Sequence, residues 1–149
     1  MGATGERDLA VLLSSMQPVL REGVFVFCTR PPGEPMPSGL EPLMTFREDE
    51  GMTLVLTREE AAAAGLEGVF PARMITLGIH SALDAVGFLA AVTGRLARDG
   101  VSVNPVSAFH HDHLFVPAER AEEALRILLD LAAAGRAQSA PGPASTSRV

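Results

Sequence analysis

Apolar and polar residues along this chain follow two different periods, and the period changes at recognisable breaks. In "RDLAVLLSSMQPVL" the residues Leu9, Leu12, Leu13 and Met16 recur at helical spacing, and Pro18 limits the helix. "GVFVFCT", residues 23–29, is dense in β-branched and aromatic side chains and predicts a strand. The four prolines and two glycines of "RPPGEPMPSG" predict a surface loop. "PLMTFR" and "MTLVLT" predict two strands joined by a hairpin turn between Glu48 and Gly51. "TREEAAAAG" then predicts a short helix, with Thr57 as cap, Glu60 as its capping-box partner and Gly65 as terminator.

The second half is more regular. "RMITLGIH" predicts a strand. "SALDAVGFLAAVTGRLARDG" predicts a helix opened by a second capping box, Ser81 with Asp84, and closed by Gly100. "VSVNPVSAF" and "HLFVP" predict strands joined around His111 and Asp112. Pro105 lacks a ladder donor and assigns the first of them to a sheet edge. "AERAEEALRILLDLAAAG" predicts a helix with Ala121, Leu125, Leu128 and Ala132 on one face and a Glu122–Arg126 pair on the other. The small, polar, Pro-rich residues 135–149 predict a disordered tail.

The second half thus reads β-α-β-β-α, a ferredoxin-like β-α-β-β-α-β unit without its last strand. The missing strand would leave an exposed sheet edge, and residues 23–29 are placed to fill it. The expected fold is α+β: two interleaved ferredoxin-like units, residues 1–70 and 71–134, with antiparallel sheets and helices packed on one face.

Composition narrows the functions open to such a fold. With 149 residues, 47% of them apolar, the chain can bury a core. A formal net charge of −6 argues against nucleic acid as a partner, since phosphate binding needs clustered Lys and Arg. No apolar run is long enough to span a bilayer, and the N-terminus lacks a secretory layout, so a cytoplasmic protein is expected. Cys28 is the only cysteine, which excludes an intrachain disulfide and a Cys-based zinc site. It reads as a buried strand residue, and the six methionines read as core filler.

The stretch "HSALDAVGFLAAVTGRLARDGVSVNPVSAFHHDHLFVP" resembles an ACT domain, the small regulatory module of amino-acid metabolism, and is similar to the ACT repeats of aspartate kinases. From Asp8 to Ala134 the chain resembles small stand-alone bacterial proteins built of two ACT-like units. Their patterns match "TFREDEGMT" and "HDHLFVP" here. The resemblance implies a regulatory, non-catalytic binder of an amino acid, without cofactor, acting as a homodimer. The chain departs from it at the first turn, where many ACT domains carry Asp-x-Pro-Gly and this one has "HSALDAVG".

A helix beginning at residues 80–84 would offer unpaired N–H groups to a carboxylate. The ligand-binding candidates are therefore His80, Ser81, Leu83, Asp84 and Gly87. Asp84 or Asn104 would accept from the ammonium. Ser81 and Asp84 equally serve as plain helix caps. Thr45, Arg47 and Glu48 could line a matching site in the first half, with Arg47 holding a carboxylate, or could be solvated strand-end charges. A separate alternative is metal: if His111 and Asp112 form the hairpin turn, His110 and His113 face each other across it, and Asp112 or a distant residue could complete a zinc site of a metal-binding protein or metal-dependent enzyme. A third is an interaction module without small ligand.

Overall fold

The computed structural model describes residues 5–139 and Gly142. After an N-terminal segment come α1 (Leu9–Ser15), β1 (Pro18–Leu20) and β2 (Phe25–Arg30). A loop over 31–43 leads to the hairpin of β3 (Met44–Glu48) and β4 (Gly51–Thr57), then to α2 (Arg58–Ala63) and β5 (Val69–Leu77). The second half continues with α3 (Phe88–Arg98), β6 (Asn104–Ser107), β7 (Asp112–Pro117), a short 3₁₀ turn and α4 (Ala121–Ser139).

All strands join one antiparallel sheet in the order β3-β4-β2-β5-β7-β6, with β1 added to β5. This order is two four-stranded ferredoxin-like sheets overlapping at their centre. In the first, β5 is the closing strand beside β2. In the second, β5 is the opening strand, and its free side is filled by β1 against residues 75–77 and by β2 against Ala72 and Val69. The donor strand expected over 23–29 thus shares its slot with the preceding Pro18–Leu20. Between Phe25 and Phe27 the register slips by one residue, a bulge at which Phe70 takes a positive φ of 54° and its ring meets Phe27 edge-on at 6.1 Å.

The alternation of each strand sorts its side chains onto two faces. On one face Ile75, Leu77, Leu114 and Val116 pack under α1, α3 and α4, whose Leu12, Val92, Leu96, Ala124 and Leu128 are buried against them. Under α2, Val26, Cys28, Leu54 and Leu56 enclose Ala61. The other face carries no helix among the described residues, yet Val55, Ala72 and Phe115 are buried there with Phe25. The sheet curls to achieve this. Six flat strands would span roughly 24 Å, but Leu43 and Met44 at one edge line the same cleft as Val106 and Ala108 at the other.

Three local expectations change. The Thr57 cap and its Glu60 partner form as the sequence predicts, whereas the Ser81–Asp84 box does not: α3 begins at Phe88 behind Gly87 in the left-handed region. Helix α4 does not end at Gly135 but runs to Ser139, into the stretch expected to be disordered. Gly135 is the point where α4 touches α1, and a Cβ there would lie 3.1 Å from the Ser14 amide. The remainder of that expected tail, apart from Gly142, lies outside the described residues. Glu122 lies 4.0 Å from Arg73 of β5, while the ion pair of this helix start is Arg120 with Glu123.

Candidate functional site

The second half's connection from β5 to α3 is held by a strap from the N-terminus. Glu6 pairs with Ser81 as a one-residue parallel bridge, its N–H donating to the His80 carbonyl and its carbonyl accepting from the Ala82 N–H, each at 2.8 Å. Gly5 makes the approach possible, since a Cβ there would meet the Ala82 amide nitrogen at 2.8 Å. Arg7 then reaches Asp84 at 2.8 Å, an exposed pair in which the guanidinium holds the Asp84 carboxyl below its ordinary value. These contacts draw residues 80–84 into extended and turn conformations, so the helix starts later than the sequence pattern suggests.

Behind the strap lies a cleft of about 160 Å³, lined by residues 81–83, Ala85, residues 87–90, Ser107 and Asp112. Two features of opposite polarity face it. Helix α3 opens without a side-chain cap, and its first hydrogen bond is Ala91 N–H to the Gly87 carbonyl, so the amides of the first turn lack intrahelical acceptors. Asp112, only 5% exposed, accepts from Ser81 Oγ at 2.7 Å and from Ser107 Oγ at 2.6 Å. A carboxylate has roughly four lone-pair sites, so two hydroxyls leave it capacity for another donor. A helix start that favours anions beside a buried anion that favours donors suits a small zwitterion.

The structure distributes the sequence candidates unevenly. Ser81, Leu83 and Gly87 line the cleft. Asp84 is turned to Arg7 and is not among the lining residues. His80 is not either: its ring lies beside Phe109 and His110, with Nε2 buried and without a partner among the described residues. Asn104 is exposed on edge strand β6, opposite Phe115. Thr45, Arg47 and Glu48 lie on β3, at the far edge of the sheet, and Glu48 accepts from the Thr53 hydroxyl. They do not join residues 80–87 in one site.

The hairpin of the histidines also differs. Its tip is Phe109–His110, closed by Ala108 N–H to the His111 carbonyl, and Ser107 faces Asp112 while Val106 faces His113. His110 and His113 are therefore not cross-strand partners, and Asp112 and His113 point to opposite faces of β7. No group of three His, Cys, Asp or Glu side chains among the described residues could hold a metal ion. The two-residue shift of the turn preserves which face each residue occupies, so Val106, Ala108, His113 and Phe115 still share one side. Asp112 and Ser107 as cleft residues were missed. Placing the tip two residues earlier would have put them in register and exposed the pairing.

Comparisons with known proteins agree with this architecture. Family models described as ACT domain match residues 4–73 and residues 69–130. No curated protein matches the chain. Among solved structures, a protein of unknown function from Vibrio cholerae, titled a possible transport protein, is 46% identical over 83% of this chain and 95% of its own, with a TM-score of 0.74. An Agrobacterium tumefaciens protein is 19% identical over 78% of this chain and 89% of its own, with a TM-score of 0.67. The regulatory subunit of aspartate kinase from Thermus thermophilus shares the fold at 15% identity over 76% of this chain and 95% of its own, with a TM-score of 0.59. Two family matches meeting at the shared strand β5, on a sheet of two overlapping ferredoxin-like units, have one reading: the chain belongs to the ACT-domain family, as a tandem of two such domains.

Proposed function

We propose that this protein is a non-catalytic sensor that binds an α-amino acid in the cleft between Asp112 and the first turn of α3. The observation that carries the reading is the buried Asp112 carboxylate, held by Ser81 and Ser107, opposite an uncapped helix start. The ligand carboxylate would accept from the amides of the α3 first turn. Its ammonium would donate to Asp112, replacing the roles first assigned to Asp84 and Asn104. Leu83, 67% exposed at the rim, would lie over the bound molecule. The two units would divide near residue 70, which the meeting of the two family matches there supports. Two copies associate as a homodimer, which covers exposed edge strands, and ligand shifts the packing of the units by differential affinity. The solved aspartate kinase regulatory subunits of the same fold support a regulatory role.

A thermal-shift panel of the common amino acids tests this. A bound one at a hundred times its Kd adds about 2.7 kcal/mol. The shift is expected for one or a few amino acids and is expected to vanish in Asp112→Asn, which keeps the side-chain shape but removes the charge. No shift with any of them would refute the reading. Sedimentation at several concentrations checks the dimer, and a monomer throughout would remove that part.

A further inference from the structure

The helix-free face of the curled sheet holds a second arrangement that the amino-acid cleft does not use. From one edge to the other, Val106, Phe115, Met74, Met44 and Leu43 line an apolar groove of about 210 Å³. Met74 and His113 continue it into an open depression lined also by Val19, Thr76, Phe25, Arg21 and Glu22. At this end three polar groups join in series. Arg21 Nε–H donates to Thr76 Oγ1 at 3.1 Å, and the Thr76 hydroxyl lies 3.0 Å from His113 Nδ1. The Thr76 hydroxyl has one proton and two lone pairs, so it links Arg21 to His113 Nδ1 in either tautomer of the ring. Burial, assisted by His111 and Arg21, holds the His113 pKa below the ordinary histidine value, against the pull of Asp112. Among the described residues no carboxylate forms an ion pair with Arg21. Its backbone carbonyl is held by Arg73 at 2.8 Å, which fixes where the side chain departs.

We infer that this groove is a second small-molecule site, for a monocarboxylate with a short apolar tail. The tail lies between Met74, Phe115, Val106 and Met44. The carboxylate pairs with the guanidinium edge of Arg21 that Thr76 leaves free. An apolar trough closed by a few convergent polar groups is the common form of a ligand site, and 210 Å³ is below the roughly 300–1,000 Å³ of sites for larger ligands. The tail is therefore short. Glu22 at the rim disfavours a second negative charge, which separates monocarboxylates from dicarboxylates. The site is independent of the cleft at α3, because Asp112 and His113 face opposite sides of β7.

The test is a titration with sodium butanoate, hexanoate and octanoate, followed by the ring signals of the four histidines in NMR spectra. Hexanoate should move the His113 signal to saturation, and affinity should rise about fourfold per added methylene until the groove is filled. Hexylamine, of the same length and opposite charge, should not bind. Arg21→Gln should weaken hexanoate at least tenfold, and Arg21→Lys should lose less. Asp112→Asn should remove the amino-acid shift while leaving the hexanoate titration intact, so the two sites fail or stand separately. Equal binding of acid and amine, an unchanged affinity in Arg21→Gln, or no saturable movement of His113 would overturn the inference. So would a dimer broken by Met74→Lys and unaffected by hexanoate, which would give the groove to a second copy of the chain.

Discussion

The Ser81–Asp112 contact makes a quantitative prediction about the interior. Asp112 is buried, and Ser81 is 8% exposed. Their 2.7 Å bond is a hydroxyl donating to a carboxylate away from water. Hydrogen bonds to charged groups contribute about 1.5–3 kcal/mol, and removing one partner leaves the buried charge short of a donor. Ser81→Ala should therefore cost about 2 kcal/mol. Ser107 bonds the other Asp112 oxygen, but its residue is exposed and water can replace it, so Ser107→Ala should cost under about 1 kcal/mol. Asp112→Ala alone is a poor measure, because losing both bonds is offset by relief of carboxylate desolvation. A double-mutant cycle avoids that ambiguity. Urea unfolding of the wild type, Ser81→Ala, Asp112→Ala and the double variant should give a coupling of about 1.5–3 kcal/mol. A coupling below about 0.5 kcal/mol, or one no larger than that of the Ser107 cycle, would refute the view that Asp112 is anchored from the β5–α3 connection.

Phe115 fills the concave face at 2% exposure, with Phe27 and Phe25 edge-on at 5.5 and 6.2 Å, so Phe115→Ala should lose about 3–5 kcal/mol in the same urea assay. Gly135→Leu drives a side chain against the α1 backbone and should cost about 1–3 kcal/mol despite the better helix propensity of Leu, whereas the exposed Gly94→Ala should gain a few tenths of a kcal/mol or more. His113 protonates less readily folded than unfolded, so the unfolded chain binds its proton first as pH falls. Its contribution is complete above the ordinary value near 6.5 and is lost as pH drops below that toward the folded value; His113→Gln should flatten the stability slope in this window, read by thermal unfolding.

The sequence pattern carries most of the fold because most of the elements rest on local periodicity. The Thr57 box, the Asp49–Glu50 turn and the β-α-β-β-α order of the second half all follow from residues close in the chain. The candidate site was less legible because its geometry depends on remote partners. Ser81 and Asp84 have capping-box spacing, but Glu6 and Arg7 take the loop for a bridge and an ion pair more than seventy residues away in sequence. Gly87, one turn further on, is the actual start. The hairpin tip was misplaced for a related reason. No Asn-Gly or Asp-Gly marks it, and Asp112, which resembles a turn residue, is instead drawn inward by Ser81. The last helix was expected to span only as far as Gly135, because the neighbouring helix that this glycine accommodates lies over a hundred residues earlier.

The sharing of β5 bears on how the chain can be divided. A fragment cut near residue 70, where the two family matches meet, would remove β1 and β2 from one product and most of β5 from the other, so each half would expose as a raw edge the seam of backbone amides and carbonyls that lies at the centre of the whole sheet. Neither half is a free-standing repeat unit. The two should therefore melt as one cooperative block in calorimetry, and two separately expressed halves should be soluble only when they find each other. A disturbance entering through either unit then reaches the strand that the other is built on.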